Sequence, residues 1–140
     1  MMRILIAACI MLICGTSSAE WMIYSRDPNS GVSYYDTASL KRIEDDVLTV
    51  WIKRFNDAER ELINRDGFNI TPPGFENFSH ELQKIFVNCS NGQTALASHF
   101  DYSKNGSVLQ SVTLNKSEIR FSDNSPGSLI TILVREVCKR

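Results

Sequence analysis

A chain of 140 residues, 43% apolar and 22% charged, is long enough to bury one hydrophobic core and too short for two domains of ordinary size. Its formal net charge of −1 provides no basic excess of the kind that grips nucleic acid or anionic lipid, so neither is an expected partner.

The first nineteen residues have the three parts of a secretory signal: Arg3, the apolar run Ile4 to Ile13, and a small-residue end at Ser17-Ser18-Ala19. Cleavage is expected before Glu20, leaving residues 20–140 as a single domain. A run of about ten apolar residues is half the roughly 20 needed to span a bilayer, which argues against a membrane anchor. Cys9 and Cys14 read as apolar members of this signal. Beyond it only Cys89 and Cys138 remain, an even pair in a chain bound for an oxidising compartment, and with two cysteines one connectivity is possible.

From Glu20 onward the pattern is of short strands and turns. Glu20 to Ser25 and Val32 to Asp36 flank the turn cluster Asp27-Pro28-Asn29-Ser30-Gly31 and predict a hairpin. Thr37 to Asp46 reads as a polar connection with at most one helical turn. Val47 to Phe55, rich in β-branched and aromatic residues, is apolar on both faces and should be a central strand. Asp57 to Asp66 is a charged stretch of helix formers, and Gly67 to Ser79 is loop-like around Pro72-Pro73-Gly74. His80 to Cys89, Thr94 to Ser103 and Ser107 to Asn115 should form an antiparallel meander, since Asn91-Gly92 and Lys104-Asn105-Gly106 supply residues that tolerate positive φ. Finally, Leu129, Ile130, Leu133, Val134 and Val137 fall on one helical stripe, behind Ser125 as N-cap and Pro126 in the first turn.

The fold class expected is therefore α+β: an antiparallel sheet of about six strands with a C-terminal amphipathic helix on one face, tied by the Cys89–Cys138 disulfide. If the helix ends at Cys138, Cys89 points to the helix side, with Ile85 and Val87 beside it, while Leu82, Lys84 and Phe86 face the other way. One helix covers one side of such a sheet, so the second side must meet water, a loop or a partner. Leu82, Lys84 and Phe86 on that side are the candidate binding residues.

Catalytic and metal signals are weak. His80 and His99 lie on separate strands without a second ligand at metal-binding spacing, and no metal or other cofactor is expected. Ser98, His99 and Asp101 make a nucleophile, base and orienting group on paper, but neighbours in a strand point to opposite faces, so His99 and Asp101 share a side and Ser98 does not. No enzymatic activity is expected.

The order of landmarks supplies one more reading: a tryptophan just past the cleavage site, Tyr34-Tyr35-Asp36, Val50-Trp51, Cys89-Ser90 after an alternating strand, a strand ending in Tyr102, Gly106-Ser107-Val108, and Ser125-Pro126-Gly127-Ser128 before a helix ending in Cys138. Together these resemble the surface-adhesin protein E family. The resemblance implies a six-stranded antiparallel sheet with a disulfide-tied C-terminal helix in proteins exported by Gram-negative bacteria, to the periplasm or the cell surface. It further implies an adhesin-like binding module whose partners are host extracellular-matrix or serum proteins such as vitronectin, laminin and plasminogen. The alternative is a periplasmic structural protein that associates with itself as a dimer.

Overall fold

A computed structural model describes residues 18–28, 31–56 and 73–139. The expected signal through residue 17, the charged stretch at 57–66 and the first part of the expected loop, 67–72, lie outside these residues. Among the described residues seven strands form one antiparallel sheet: β1 (Trp21–Asp27), β2 (Gly31–Asp36), β3 (Lys41–Arg42), β4 (Val47–Phe55), β5 (Phe78–Asn88), β6 (Thr94–Ser103) and β7 (Val108–Thr113). Their order is β1-β2-β4-β5-β6-β7, with β3 also paired to β4. The helix α1 (Leu129–Cys138) follows β7. Among the described residues no helix is long and apolar enough to cross a membrane.

The sheet of about six strands with a tied helix is what the pattern foretold, and β4 is central, as its two apolar faces required. The connection at 37–46 does more than was expected of it. β2 pairs with the second half of β4 and β3 with the first, so the two short strands run along the same edge of β4, interrupted by a 3-10 turn at Thr37–Ser39. At the break, the Trp51 amide donates to Ser39 Oγ at 2.9 Å and that hydroxyl donates to the Asp36 carbonyl at 2.8 Å, so a side chain takes over where the ladder lapses. At the other end of β2, Gly31 has φ of +75° and a Cβ there would lie 1.8 Å from the Phe55 carbonyl oxygen, so only glycine lets β2 approach β4 this closely.

The helix stripe packs as its period predicts. Leu133 and Val137 are buried against Tyr35, Val50, Ile52, Ile85 and Val87, which come from three strands. Cys89 and Cys138 are bonded, with Cα atoms 5.6 Å apart. The helix start is corrected. It begins at Leu129 with Ser128 in the N-cap position, not at Ser125, because the Ser128 amide bonds back to the Ser125 carbonyl and Gly127, at φ +73°, turns the chain first. The loop expected through Ser79 also ends sooner: Phe75–Asn77 forms a 3-10 turn, and Phe75 and Phe78 stack at 5.9 Å, both fully buried.

The Asn91-Gly92 turn is longer than a two-residue hairpin, since β5 ends at Asn88 and β6 begins at Thr94. Asn88 Oδ1 accepts from the Ser90 amide, and Gly92 N–H returns to the Asn88 carbonyl. The extra length lets Cys89 leave the ladder and reach the helix. Asn124 ties the segment before α1 to the same loop, accepting from Thr94 Oγ1 at 2.9 Å and donating to the Gly92 carbonyl at 3.0 Å.

Candidate functional site

Register decides which side chains share a face, because residues directly opposite in antiparallel strands project to the same side. Three rows lie on the face turned away from α1. Tyr34, Lys53, Leu82 and Phe100 form one, Phe55, His80 and Tyr102 the second, and Trp51, Lys84 and Ser98 the third. Phe86 continues this face opposite Thr49 and Ala95. All three sequence-expected binding residues, Leu82, Lys84 and Phe86, thus stand opposite the helix, with Ile85 and Val87 beneath it.

The rings on this face form a connected path. Tyr34 meets Phe55 edge-on at 6.0 Å, Phe55 approaches His80 at 4.9 Å, and His80 stacks on Tyr102 at 5.0 Å with planes 11° apart. Tyr102 then contacts Phe100, and Phe100 contacts Trp51, each at 6.3 Å. Into one end of the path comes Lys53, whose Nζ lies 4.1 Å from the Trp21 ring centroid and 5.4 Å from that of Phe55. A cation so placed is attracted by the negative ring faces. Phe55 remains 39% exposed and Ile23, on the same side next to Tyr34, 40% exposed, so part of this apolar surface is open to a partner. The opposite end is closed differently: Phe86 meets Phe121 edge-on, and with Ile119, Glu44 and Lys116 these line an apolar recess of about 370 Å³.

Burial, and then the neighbouring Lys53 charge, lowers the His80 pKa. A base whose folded pKa lies below its unfolded value of about 6.5 favours folding above that value; stability is lost as pH falls from there through the folded pKa. Thermal melts of the native chain between pH 7.5 and 5 should therefore show a loss that is smaller in His80→Gln. Equal losses would show that His80 titrates alike in both states. The Lys53 pKa is also lowered by burial, an effect opposed by the Asp36 carboxylate.

On the helix side, the ten residues of α1 reach about 15 Å, far less than β5 or β6. The middle of that face is polar, flanked by exposed Met22 and Val112, which lie opposite Tyr35 and His99. Arg54 Nε lies 3.0 Å from Glu81 Oε1, Gln83 Nε2 lies 2.9 Å from His99 Nδ1, and His99 Nε2 lies 2.9 Å from Asp101 Oδ1. Asp101 is fully buried. A recess of about 300 Å³ opens beside this network, bounded by Tyr24, Ser33, Arg54, Glu81 and the start of α1. Burial raises the Tyr24 phenol pKa, with Ser33 and Arg54 opposing the rise.

Glu81, His99 and Asp101 bring one possible ligand atom each within 4.8 Å of one another, a convergence the sequence spacing did not suggest. Both ring nitrogens of His99 have protein partners, and Glu81 neutralises Arg54, so the cluster stands as a hydrogen-bonded charge network. His99 and Asp101 share a side as expected, and Ser98 faces away opposite Lys84, so the paper triad is not assembled. What the sequence concealed is a bulge. Carrying the Val87↔Thr94 register on without interruption would set Ser98 opposite Gln83 and turn His99 outward; the register shift between Leu96 and Ser98 reverses this. No protein-family model matches this chain, and neither a curated protein nor a solved structure matches it.

Proposed function

We propose that this protein is an exported, non-enzymatic binding module that engages a protein partner through the sheet face opposite α1. The observation carrying the reading is the connected aromatic path from Tyr34 to Trp51 with Lys53 among the rings and Phe55 still exposed. Aromatic side chains held by a rigid sheet provide large contact area at low conformational cost, the kind of surface on which binding energy concentrates. The Cys89–Cys138 bond supports an oxidising destination, and the signal-like residues ahead of Glu20 support export to the periplasm or cell surface of a Gram-negative bacterium. The resemblance drawn from the order of sequence landmarks directs the partner class to host extracellular-matrix and serum proteins.

The test is binding of the chain from Glu20 to immobilised vitronectin, laminin and plasminogen, with Phe55→Ala as the comparison. Saturable binding that weakens about thirtyfold in the variant, equivalent to about 2 kcal/mol, is expected if Phe55 is a central contact. Binding to none of the three removes the host-protein reading. The exposure of Ile23 and Phe55 on one face favours a second copy of the chain as the other occupant, and sedimentation over a range of concentrations separates that case.

A further inference from the structure

Glu20 is fastened to the end of β2 by its own backbone. Its amide nitrogen lies 2.7 Å from Asp36 Oδ1, an oxygen that also accepts from the Ala38 amide at 3.0 Å. Its carbonyl accepts from the Thr37 amide at 2.9 Å, and the Thr37 hydroxyl lies 2.9 Å from Glu20 Oε2. Asp36 is 8% exposed, whereas Glu20 itself and Ser18 and Ala19 immediately upstream are exposed. A carboxylate at such a site is stabilised most by a charged donor, because Coulomb attraction strengthens as water is excluded. Lys53 is the cation that senses Asp36 across the sheet, but its ammonium sits over the Trp21 ring.

We propose that Asp36 is the receptor for the α-ammonium created when the chain is cut between Ala19 and Glu20, so that processing turns an uncharged amide donor into a cationic one and makes an ion pair locking β1 to β2. This rests on the export reading above. In the cut, the Ala19 carbonyl carbon to Glu20 nitrogen bond breaks and water supplies hydroxyl to Ala19 and hydrogen to the nitrogen. The resulting amine takes a proton and the new acid releases one. The nitrogen already stands where the charge is needed. With Ser18 and Ala19 attached, the ammonium moves outward by about 7 Å along an exposed extension, and the amide left behind carries no charge.

The pairing is tested with oxidised chains released by a protease that leaves no extra residue, one starting at Glu20 and one at Ser18, which have the same total charge. At pH 6 the Glu20 chain is expected to have a folding constant about tenfold larger, seen as a melting temperature about 5 °C higher. An amine that gains an acidic partner contributes its stability fully below its unfolded pKa, about 7.7 to 8.0, and loses it as pH rises through the folded value. The gap should therefore close in alkaline buffer. Among the described residues the other charged groups at the site, Lys53 and the Glu20 side chain, are present in both chains. The gap should vanish when both carry Asp36→Asn, and acetylating the Glu20 amine with Asp36 intact should reproduce the Ser18 chain. Equal melting at pH 6, or a gap that survives Asp36→Asn, overturns the pairing. N-terminal sequencing of protein from producing cells addresses the cut itself: a terminus other than Glu20 overturns the role of processing, while the pairing in the purified chains is judged separately.

Discussion

Replacing both Cys89 and Cys138 with serine is expected to remove about 4 kcal/mol of stability, the chain-entropy value for a loop closed over a sequence separation of 49. Against the 5–15 kcal/mol typical of a domain, that is a large share. The consequence should be local before it is global. Of the bonds fastening the C-terminal segment, the disulfide alone is covalent, and α1 at ten residues is too short to be stable in isolation. Urea unfolding followed by circular dichroism should give a lower midpoint for the double variant, and amide exchange should quicken in α1 before it quickens in β4 and β5. A double variant that unfolds with the native midpoint, and exchanges evenly, would show that packing alone holds the helix. Reductant should shift the native protein toward the variant and leave the variant unchanged.

Leu133→Ala tests that packing. Leu133 is completely buried, on the side of α1 that faces Tyr35, Val50 and Val87. Truncation removes the burial of three carbons and leaves a cavity between two rigid elements, so a loss of 2–5 kcal/mol is expected, about 3 if the site collapses in part. Arg135 lies two residues along the same helix and is exposed; Arg135→Ala should change stability by less than about 0.5 kcal/mol. Chemical denaturation of the two variants side by side provides the check. A loss below 1 kcal/mol at Leu133 would mean that α1 lies loosely on the sheet and that the face beneath it is open to other occupants.

The elements legible in the sequence were those whose signal is periodic. The two apolar faces of Val47 to Phe55 announced a central strand, and the stripe from Leu129 to Val137 announced a helix with one buried side. Both follow from the matching of side-chain period to backbone geometry, which is local. The boundaries that moved were settled by individual bonds. Ser125 has the right chemistry for an N-cap, but Gly127 and the Ser128 to Ser125 backbone bond place a turn first. The connection at 37–46 looked merely polar, yet Ser39 Oγ replaces a backbone acceptor for Trp51, and β3 extends the sheet edge behind it. Composition does not encode such a substitution of side chain for main chain.

The candidate face divides in the same way. Alternation along β5 sufficed to put Leu82, Lys84 and Phe86 on one side and Ile85 and Val87 on the other, and the cysteine pair indicated which side the helix takes. Those assignments need only a period of two and one fixed point. The aromatic path needed the registers between β2, β4, β5 and β6, because ring contacts such as His80 with Tyr102 join residues far apart in the chain. The polar network at Glu81, His99 and Asp101 needed still more, since one extra residue in β6 turns His99 inward beside Gln83. The sequence by itself determined the antiparallel sheet, the C-terminal helix, the bond between them and the sheet face that this helix leaves uncovered. The tertiary structure decided which side chains meet, because a register shift of one residue reverses a face while scarcely altering the local pattern that a sequence displays.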